Sequence, residues 1–301
     1  MIPVLDQQQR EDIEAVSDLI KHEVNVKEIE LISDDSGILV KQIKPDFKKL
    51  GPRFGPDMKI VAGLIMQFGP DEDLESYPRT LEVDLAKLQE AGATAVFIPR
   101  AEDIYPDGID QHTSVDVPDL TNVLCGAQRP GHFRGVTTVV SKLLGVVRPH
   151  IAFFGAKDLQ QVLVIKKMVR DLLINVEIVT VPTLRDPDGL AMSSRNGYLT
   201  PEERALAPNF AAALTACALT LQNTPSDASE TIDIAKKALE DNGFVIDYLE
   251  TRRTSDLSLS PEPNDEIAIF GAVYLGTTRL IDNRVIPISR PDLSLPSERL
   301  N

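Results

Sequence analysis

A short polar turn contains the first residues that could do chemistry. Gly155, Lys157 and Asp158 follow an apolar run typical of a strand and precede an apolar pattern typical of a helix. In open α/β sheets, ligands bind where strands end and helices begin, and the free N–H groups there favour an anion. We therefore expect a phosphate-bearing ligand at this turn. The alternative is a plain turn in which Gly155 bends the chain, Asp158 caps the helix and Lys157 is solvated.

A second polar segment follows Gly189. Met192, Ser193, Ser194 and Arg195 place two hydroxyl groups beside a guanidinium. Hydroxyls and a guanidinium after a flexible glycine suit a mobile clamp for phosphate, because each of these groups can donate hydrogen bonds to phosphate oxygens. The alternative is a polar loop that only connects two domains.

Three further residues could contact an organic substrate. Arg129 and His132 lie just ahead of a predicted helix, where they could hold a carboxylate; a capping loop with a surface histidine is the alternative. Gln67 lies in a predicted loop, and its amide could both donate to and accept from a hydroxyl group of a substrate. No spacing of cysteine and histidine predicts a structural zinc site, and no metal-ligating residue is assigned.

These residues belong to a chain in which helical and strand patterns alternate. Apolar positions three and four residues apart predict helices, and short continuous apolar runs predict strands buried on both faces. The predicted helices cover 81–91, 136–147 and 159–172, and the predicted strands cover 93–98, 151–154 and 176–181. Such alternation predicts an α/β fold with a parallel sheet that is covered on both faces.

The pattern changes near residue 186, where a turn-rich segment predicts a domain boundary. The α/β domain is assigned to 66–185 and a smaller α+β domain to 186–301. In the smaller domain, Thr200 and Glu203 form a capping box with a proline at the first helical position. Two helices and two strands follow, the helices to about 222 and over 228–241, the strands over 244–251 and 266–275.

Residues 1–65 form a third region with a different order of elements. An amphipathic helix is predicted over 6–24, and two strands over 26–33 and 38–43 are joined by a sequence typical of a hairpin. A short strand over 60–65 follows. This α-β-β block replaces the first β-α-β unit with which a nucleotide-binding sheet normally begins.

Composition and charge exclude several classes of protein. With 46 acidic and 31 basic side chains, the 301-residue chain has a net charge of −15. This balance argues against a nucleic-acid partner, because nucleic-acid-binding proteins need cations to neutralise phosphates; residues 41–59, with six basic side chains against two aspartates, are the exception. Only two cysteines occur, and no apolar run reaches the ~18–20 residues of a membrane span. We therefore expect a cytoplasmic protein that has no membrane partner.

Several motifs together make residues 66 to about 286 resemble the pantothenate synthetase (pantoate–β-alanine ligase) family. The matching stretches, in the family's order and at its spacing, are MQFGPDEDLESYPRTLEVD, IYPDG, RPGHFRGVTTVVSKL, FFGAKDLQQ, DGLAMSSRNGYL and YLGTTRLIDN. The resemblance implies a homodimer with a Rossmann-like nucleotidylyl-transferase domain and a smaller C-terminal domain that closes over the site. It also implies that, in the presence of Mg²⁺, ATP and pantoate react to give pantoyl adenylate and pyrophosphate. The amine of β-alanine then attacks the acyl carbon and releases AMP.

The resemblance further implies roles for individual residues. Those that would hold the triphosphate and its developing charge are Lys157, Ser193, Ser194 and Arg195. Those that would lie near the ribose or the adenine are Gly155, Asp158 and the backbone of Met192. Those that would form hydrogen bonds with pantoate are Gln67 and Gln161. Adenylation mainly needs positioning and electrostatic stabilisation of a displacement at phosphorus, which cations and amides can supply.

The sequence departs from the family pattern at single positions and upstream. Ala156 and Cys125 stand where glutamate is common, and Leu159 stands where an aromatic residue is common. The family's P-T-M-G-x-L-H-x-G-H segment, whose two histidines would stabilise the transition state, does not occur in residues 1–65. Since one such donor is worth ~10²–10³ in rate, we predict that the activity of this chain is impaired.

Residues 1–65 resemble instead the C-terminal region of bacterial isoleucyl-tRNA synthetase. The resemblance depends on IPVLD and VNVKEIELISDDSGILVKQIKPDFKKLGPRFG. In that enzyme the region lies beyond the catalytic core, near the tRNA-binding end, and carries no catalytic motif. The chain thus resembles a chimera. The alternative function is a non-catalytic chimeric protein in which residues 1–65 have a tRNA-associated or interaction role.

Overall fold

The computed structural model describes residues 31–32, 39–42, 61–63, 81–90, 95–224, 228–259 and 265–286. These residues form two compact units that alternate along the chain. The first unit takes the described residues up to Val117, Gly131–Ala152 and Asp171–Glu177; the second takes Pro118–Pro130, Phe153–Arg170 and the described residues from Ile178. The predicted domains 1–65, 66–185 and 186–301 do not coincide with these units and stay predictions. The predicted helix over 6–24 lies outside the described residues.

The described elements are helices α1 to α8 and strands β1 to β9, numbered in chain order. The helices are α1 (Leu81–Glu90), α2 (Ala101–Ile104), α3 (Cys125–Gln128), α4 (His132–Val147), α5 (Leu159–Asp171), α6 (Pro201–Leu206), α7 (Pro208–Asn223) and α8 (Ala228–Asp241). The strands are β1 (Leu31–Ile32), β2 (Leu39–Gln42), β3 (Val61–Gly63), β4 (Ala95–Ile98), β5 (Ile151–Gly155), β6 (Glu177–Val181), β7 (Val245–Arg253), β8 (Ile267–Leu275) and β9 (Thr278–Ile286).

The first unit contains a mixed four-stranded sheet in the order β1-β2-β4-β3. β1 and β2 pair antiparallel, with Leu31 opposite Lys41, which confirms the predicted hairpin. β3 and β4 pair in parallel, whereas β2 runs antiparallel to β4. Val96 and Phe97 are both buried. Since successive side chains of a strand point to opposite faces, β4 is covered on both faces.

Helix α4 of the first unit begins earlier than its apolar pattern predicts. Its first residue is His132, directly after Gly131, whose φ of 81° is left-handed. The first turn is polar, so that the apolar periodicity gives no signal there. The hydroxyl groups of Thr137 and Thr138 bond to Val115: the Val115 N–H donates to Thr138 Oγ1 (2.9 Å), and Thr137 Oγ1 donates to the Val115 carbonyl. These bonds fasten the segment before Pro118 to the helix.

Strands β5 and β6 pair with each other, and helix α5 lies between them in the chain. One turn of 3-10 helix, Ala156–Asp158, joins β5 to α5. Four side chains of α5 are fully buried, namely Val162, Val164, Ile165 and Met168. The predicted strand, turn and helix around Lys157 are therefore confirmed.

The second unit ends in an antiparallel sheet with the order β7-β8-β9, against which α7 and α8 pack. Its core contains Phe210 and Leu214 of α7, Leu239 of α8 and Ile269 of β8, none more than 1% exposed. Gly271 of β8 allows α7 to approach the sheet closely, because a Cβ atom there would lie 2.9 Å from two carbon atoms of the Phe210 ring. The small α+β arrangement predicted for this part of the chain is thus observed.

Strand β9 is an addition to the two strands predicted here. Its sequence, TRLIDNRVI, interrupts the apolar alternation with charged residues and an amide. Asp282 and Asn283 are nevertheless buried, at 3% and 7% exposure. Their burial is possible because both are hydrogen-bonded to distant segments.

The stretch Pro201–Asn223 is, among the described residues, the one long and apolar enough to cross a membrane. The sequence predicts no span here, because no apolar run reaches the ~18–20 residues that a membrane span needs. Phe210, Leu214 and Leu221 are at most 1% exposed and belong to the core of the second unit. Packing inside the protein therefore accounts for the apolar composition of these helices.

Candidate functional site

The second unit contains a small cavity of about 10 Å³ whose walls come from widely separated parts of the chain. Its lining residues are Lys157, Leu190, Ala191, Ser193, Asn196, Phe210, Leu280, Ile281 and Asp282. The cavity brings together Lys157 and Ser193, which the sequence placed in two separate candidate motifs. This volume is about the space that one water molecule needs, so the cavity shows that these side chains meet but does not by itself hold a ligand.

Lys157 lies in the 3-10 turn that follows β5. Asn283 holds this turn: its Nδ2 atom donates to the carbonyl oxygens of Ala156 (2.7 Å) and Lys157 (2.9 Å). The ammonium group of Lys157 forms neither an ion pair nor a hydrogen bond with the described residues. Its positive charge is therefore not neutralised within the described part of the chain.

The glycine in this turn is not needed for its backbone conformation. Gly155 has φ −72° and ψ 132°, values that any residue adopts, so the turn does not require a glycine. A Cβ atom on Gly155 would meet nothing within 4 Å. The open space beside it leaves room for a ligand to approach the backbone. Asp158 is exposed and pairs with no other described residue.

The segment before Ser193 is a hairpin rather than an open polar loop. Arg185 and Ala191 form an isolated β-bridge. The Arg185 guanidinium donates two hydrogen bonds to the Asp282 carboxylate (2.7 and 2.9 Å) and a third to the Gly189 carbonyl (3.0 Å). Gly189 has a φ of 91°, which a side chain would strain. The buried Asp282 thus fixes the shape of the hairpin.

A second arginine holds the other side of the hairpin. Arg204 of α6 donates to Asp188 (2.6 Å) and to Asp186 (2.9 Å). Its hydrogen bond to Asp188 lowers the pKa of that carboxyl group below its ordinary value. The capping box predicted at Thr200 and Glu203 is confirmed, and it starts the helix that carries Arg204.

Ser193 starts the turn of 3-10 helix that contains Ser194 and Arg195. The Oγ atom of Ser193 accepts a hydrogen bond from the backbone N–H of Arg195 (3.3 Å). Asn196 anchors the same turn, since its Nδ2 atom donates to the Ala191 carbonyl (3.0 Å). The Oδ1 atom of Asn196 is buried and accepts no hydrogen bond from the described residues. Asn196 therefore brings an unused acceptor to the cavity, a contribution that sequence reasoning missed.

The remaining predicted site residues do not line the cavity. Six of them belong to the second unit and lie close in sequence to a lining residue, namely Gly155, Asp158, Gln161, Met192, Ser194 and Arg195. Arg129 is half-buried in the second unit, whereas His132 lies in the first unit, with its ring edge-on to that of Phe133 at 5.1 Å. Gln67 lies outside the described residues.

The two neighbouring glutamines of α5 differ in their surroundings. Gln160 is 5% exposed and donates from Nε2 to the carbonyl oxygens of Leu120 (2.9 Å) and Val123 (2.7 Å), while its Oε1 accepts from the Cys125 N–H (3.1 Å). Gln161 is half-buried, and its amide forms no hydrogen bond with the described residues. Gln160 therefore fixes the 120–125 segment, and Gln161 has an amide free for a ligand.

Cys125 belongs to a buried polar cluster that sequence reasoning also missed. Its Sγ atom lies 3.0 Å from the Tyr248 hydroxyl and 3.6 Å from the Arg279 guanidinium. Arg279 in turn donates two hydrogen bonds to Asp247 (2.7 and 3.0 Å). Burial raises the pKa of Tyr248 far above its ordinary value, and the neighbouring Cys125 adds to the effect.

Comparison with known proteins places this architecture in a family. A family model described as pantoate-beta-alanine ligase matches residues 65–285. The chain belongs to the pantoate–β-alanine ligase family. It is 50% identical to the pantothenate synthetase of Shewanella woodyi over 218 residues, 72% of this chain and 77% of that protein. It is 47% identical to the Pseudomonas aeruginosa pantothenate synthetase over 238 residues, 78% of this chain and 83% of that protein.

Solved structures of pantoate–β-alanine ligases confirm the predicted fold class. The pantothenate synthetase of Thermus thermophilus matches with a TM-score of 0.69 at 42% identity, over 76% of this chain and 83% of that one. The Francisella tularensis ligase, complexed with beta-gamma ATP and beta-alanine, matches with a TM-score of 0.61 at 31% identity, over 76% and 79%. The fold is an α/β nucleotidylyl-transferase fold with a parallel sheet and a C-terminal α+β domain. The resemblance of residues 1–65 to isoleucyl-tRNA synthetase stays a prediction.

Proposed function

We propose that this chain joins pantoate to β-alanine with ATP, through a pantoyl-adenylate intermediate. The relatives named above are pantothenate synthetases, and a solved relative is complexed with beta-gamma ATP and beta-alanine. The observation that carries the proposal in this chain is the cavity that Lys157 and Ser193 share. A lysine with no ionic partner and a capped serine turn are suited to holding a triphosphate.

In the first step, a carboxylate oxygen of pantoate attacks the α-phosphorus of ATP. An O–P bond forms, and the bond from phosphorus to pyrophosphate breaks. Negative charge develops on the leaving pyrophosphate and on the oxygens of the transferred group. The residues that would stabilise this charge are Lys157, Ser193, Ser194 and Arg195. Because hydrogen bonds hold the backbone at Lys157 and the serine turn before ATP binds, the site needs little reorganisation during the reaction.

The sequence motifs and the family resemblance also assign residues to the organic groups of the substrates. Those assigned to pantoate are Gln67, Gln161, Arg129 and His132. Those assigned to the nucleoside are Gly155, Asp158 and the backbone of Met192. The free amide of Gln161 and the open space beside Gly155 support these assignments. A free amide can both donate to and accept from a pantoate hydroxyl group.

In the second step, the amine of β-alanine attacks the acyl carbon of pantoyl adenylate. A C–N bond forms, the bond from that carbon to the AMP oxygen breaks, and the amine loses a proton to solvent. This step makes one amide bond and releases AMP. The protein's contribution is to hold the amine and the acyl carbon close together, which lowers the entropic cost of the reaction.

Magnesium does not have a protein site of its own among the described residues. No group of three His, Cys, Asp or Glu side chains there is arranged to hold a metal ion. Three carboxylates at or beside the hairpin are bound by guanidinium groups, Asp282 by Arg185 and both Asp186 and Asp188 by Arg204. Magnesium commonly binds through substrate phosphates, and no step proposed for this chain passes through it.

We also propose that this chain turns over slowly. Its four histidines, His22, His112, His132 and His150, do not form the H-x-G-H motif of the family pattern. Two donors to the transition state would be missing, and each is worth ~10²–10³ in rate. We propose in addition that the protein is a homodimer and that it is located in the cytoplasm. Light scattering during gel filtration tests the dimer.

The test is pyrophosphate release and pantothenate formation by the full chain. Pyrophosphate should require ATP and pantoate, and pantothenate, detected by mass spectrometry, should also require β-alanine. Lys157→Met should reduce pyrophosphate release at least ~100-fold because it removes the charge at the transferred group. Lys166→Met is the matched control, since Lys166 is exposed on α5, and it should keep the wild-type rate.

ATP binding measured by calorimetry separates slow turnover from a wrong function. Wild-type protein that binds ATP but turns over slowly would agree with both proposals. Wild-type protein that neither binds ATP nor forms pantothenate would overturn the proposed function. A rate like that of an ordinary pantothenate synthetase would overturn only the proposed impairment.

A further inference from the structure

Two neighbouring residues of β9 hold both segments that carry the proposed triphosphate-binding residues. Asn283 uses its Nδ2 atom to bind the carbonyl oxygens of Ala156 (2.7 Å) and Lys157 (2.9 Å). Two N–H groups on one amide nitrogen are thereby directed at two successive carbonyls. Asn283 is 7% exposed, so water competes little for these bonds. The position of the Lys157 backbone depends directly on this side chain.

Asp282 holds the second segment. Its side chain is 2% exposed and accepts two hydrogen bonds from Arg185. Arg185 also donates to the Gly189 carbonyl and so closes the hairpin that leads to Ser193. A bidentate contact between a guanidinium and a carboxylate fixes orientation as well as distance. The direction in which the chain enters the serine turn is therefore set by Asp282.

The two residues are also connected to each other. The Oδ1 atom of Asp282 accepts a hydrogen bond from the backbone N–H of Asn283 (2.8 Å). Within β9, Asn283 lies opposite Phe270 and Asp282 lies opposite Gly271 of the central strand β8. A strand paired over its whole length is a rigid support. Lys157 and Ser193 are thus held at a fixed separation by one short piece of sheet.

We propose that Asp282 and Asn283 are positioning residues for the adenylation step. Asn283 acts through Lys157, and Asp282 acts through Arg185 and the hairpin that ends at Ser193. The proposal rests on the function proposed above. The flexible stem of a lysine places its charge correctly only if its backbone is fixed, and an error of about 1 Å in such a group can cost ~10²-fold in rate.

The test is Asn283→Ala in the full chain, with ATP binding measured by calorimetry and pyrophosphate release measured against both substrates. We expect ATP to bind about tenfold more weakly, because the substitution removes the equivalent of about one hydrogen bond to a positioned group. The KM for pantoate should stay within about twofold of the wild-type value. Asn242→Ala is the matched control. It removes an Nδ2 bond of 2.7 Å to the Ala238 carbonyl at an exposed helix end, and it should leave ATP binding unchanged.

A double-mutant cycle tests whether Asn283 acts through Lys157. If it does, Asn283→Ala should weaken ATP binding far less when Lys157→Met is already present, because coupled residues are not additive. Arg185→Lys tests the other residue. It keeps the charge but loses the bidentate contact with Asp282, and a several-fold weaker ATP affinity is expected.

Several outcomes would overturn the proposal. The proposal is wrong if Asn283→Ala binds ATP with wild-type affinity. It is also wrong if Asn283→Ala weakens ATP binding by the same factor whether or not Lys157→Met is present. Asn283→Ser keeps one donor and guards against failure to fold; if it and Asn283→Ala both lose cooperative melting, the role is structural and the proposal is wrong. Wild-type protein that binds no ATP would instead refute the proposed function on which the positioning role depends.

Discussion

The Sγ atom of Cys125 lies 3.0 Å from the hydroxyl oxygen of Tyr248, although 123 residues separate them in the chain. Arg279 lies beside both residues and is held by Asp247. The thiol of Cys125 thus faces the guanidinium of Arg279 at 3.6 Å. The cluster therefore ties the 118–130 segment to strands β7 and β9 with little charge of its own.

Removing the cation from this cluster should destabilise the protein. Asp247 is 11% exposed and is paired with Arg279. Arg279→Met leaves this carboxylate buried without a partner, which costs about 3–5 kcal/mol. Urea unfolding measures the loss. The control is Lys236→Met, which breaks an exposed ion pair of 3.9 Å with Asp233 and should cost less than about 0.5 kcal/mol. Equal losses in the two variants would contradict the prediction.

Stability should fall at alkaline pH because of Tyr248. Burial raises the pKa of this phenol in the folded state above its ordinary value of 10.0, and Cys125 adds to the effect. The unfolded chain therefore loses the phenolic proton first, so that this contribution is complete below about pH 10 and is lost as the pH rises above it. Tyr248→Phe should reduce the slope of unfolding free energy against pH above about pH 10.

Urea unfolding between about pH 8 and pH 11 measures this slope. Tyr274→Phe, which removes the hydroxyl group of an exposed tyrosine on β8, controls for the substitution itself. An unchanged slope in Tyr248→Phe would show that the phenol is not the group responsible.

The two glutamines of α5 should respond differently to the same substitution. Gln160→Met removes three hydrogen bonds and leaves the Leu120 carbonyl and the Cys125 N–H without the partner that Gln160 supplies, whereas the Val123 carbonyl keeps the Gly126 N–H at 2.8 Å. We expect a loss of about 3 kcal/mol. Gln161→Met should change the unfolding free energy little and raise the KM for pantoate about tenfold. A stability loss in Gln161→Met, or none in Gln160→Met, would contradict the assigned roles.

A methyl group on β8 should be harmful where α7 approaches. In Gly271→Ala the new Cβ atom would lie 2.9 Å from the Phe210 ring, and overpacking of this kind costs about 1–3 kcal/mol. Gly145→Ala is the control. It lies within α4, and its Cβ atom would meet nothing within 4 Å, so it should stabilise the protein by about 0.5–1 kcal/mol. Thermal melting of both variants measures the difference, and the opposite order would refute the packing argument.

The parts of the fold that sequence reasoning predicted are those with a local signal. Helix α5, the turn at Lys157 and the capping box at Thr200 each depend on neighbouring residues, and the structure confirms all three. The family's motifs directed attention to Lys157 and Ser193, and the structure places both on one cavity. Spacing alone did not predict that they would meet.

The residues that sequence reasoning missed act over long distances. Asn283 bonds to carbonyls 126 and 127 residues away, and Gln160 bonds to carbonyls 37 and 40 residues away. A buried polar side chain in a strand looks like an interruption of that strand until its partner is known. For the same reason β9 gave no clear strand pattern, since its charged and amide residues are the ones that bind other segments.

The support of Lys157 by Asn283 also sets an order of events during synthesis. Chains emerge from the ribosome with the N-terminal part first, and β9 is the last strand that the structure describes. Until residue 283 has emerged, the turn at Lys157 has no side chain to hold its carbonyls, and the hairpin lacks the carboxylate of Asp282. A nascent chain shorter than this has Lys157 and the serines of the turn but lacks the side chains that hold their segments. On the proposed function, affinity for ATP is therefore expected only after residue 283 has emerged.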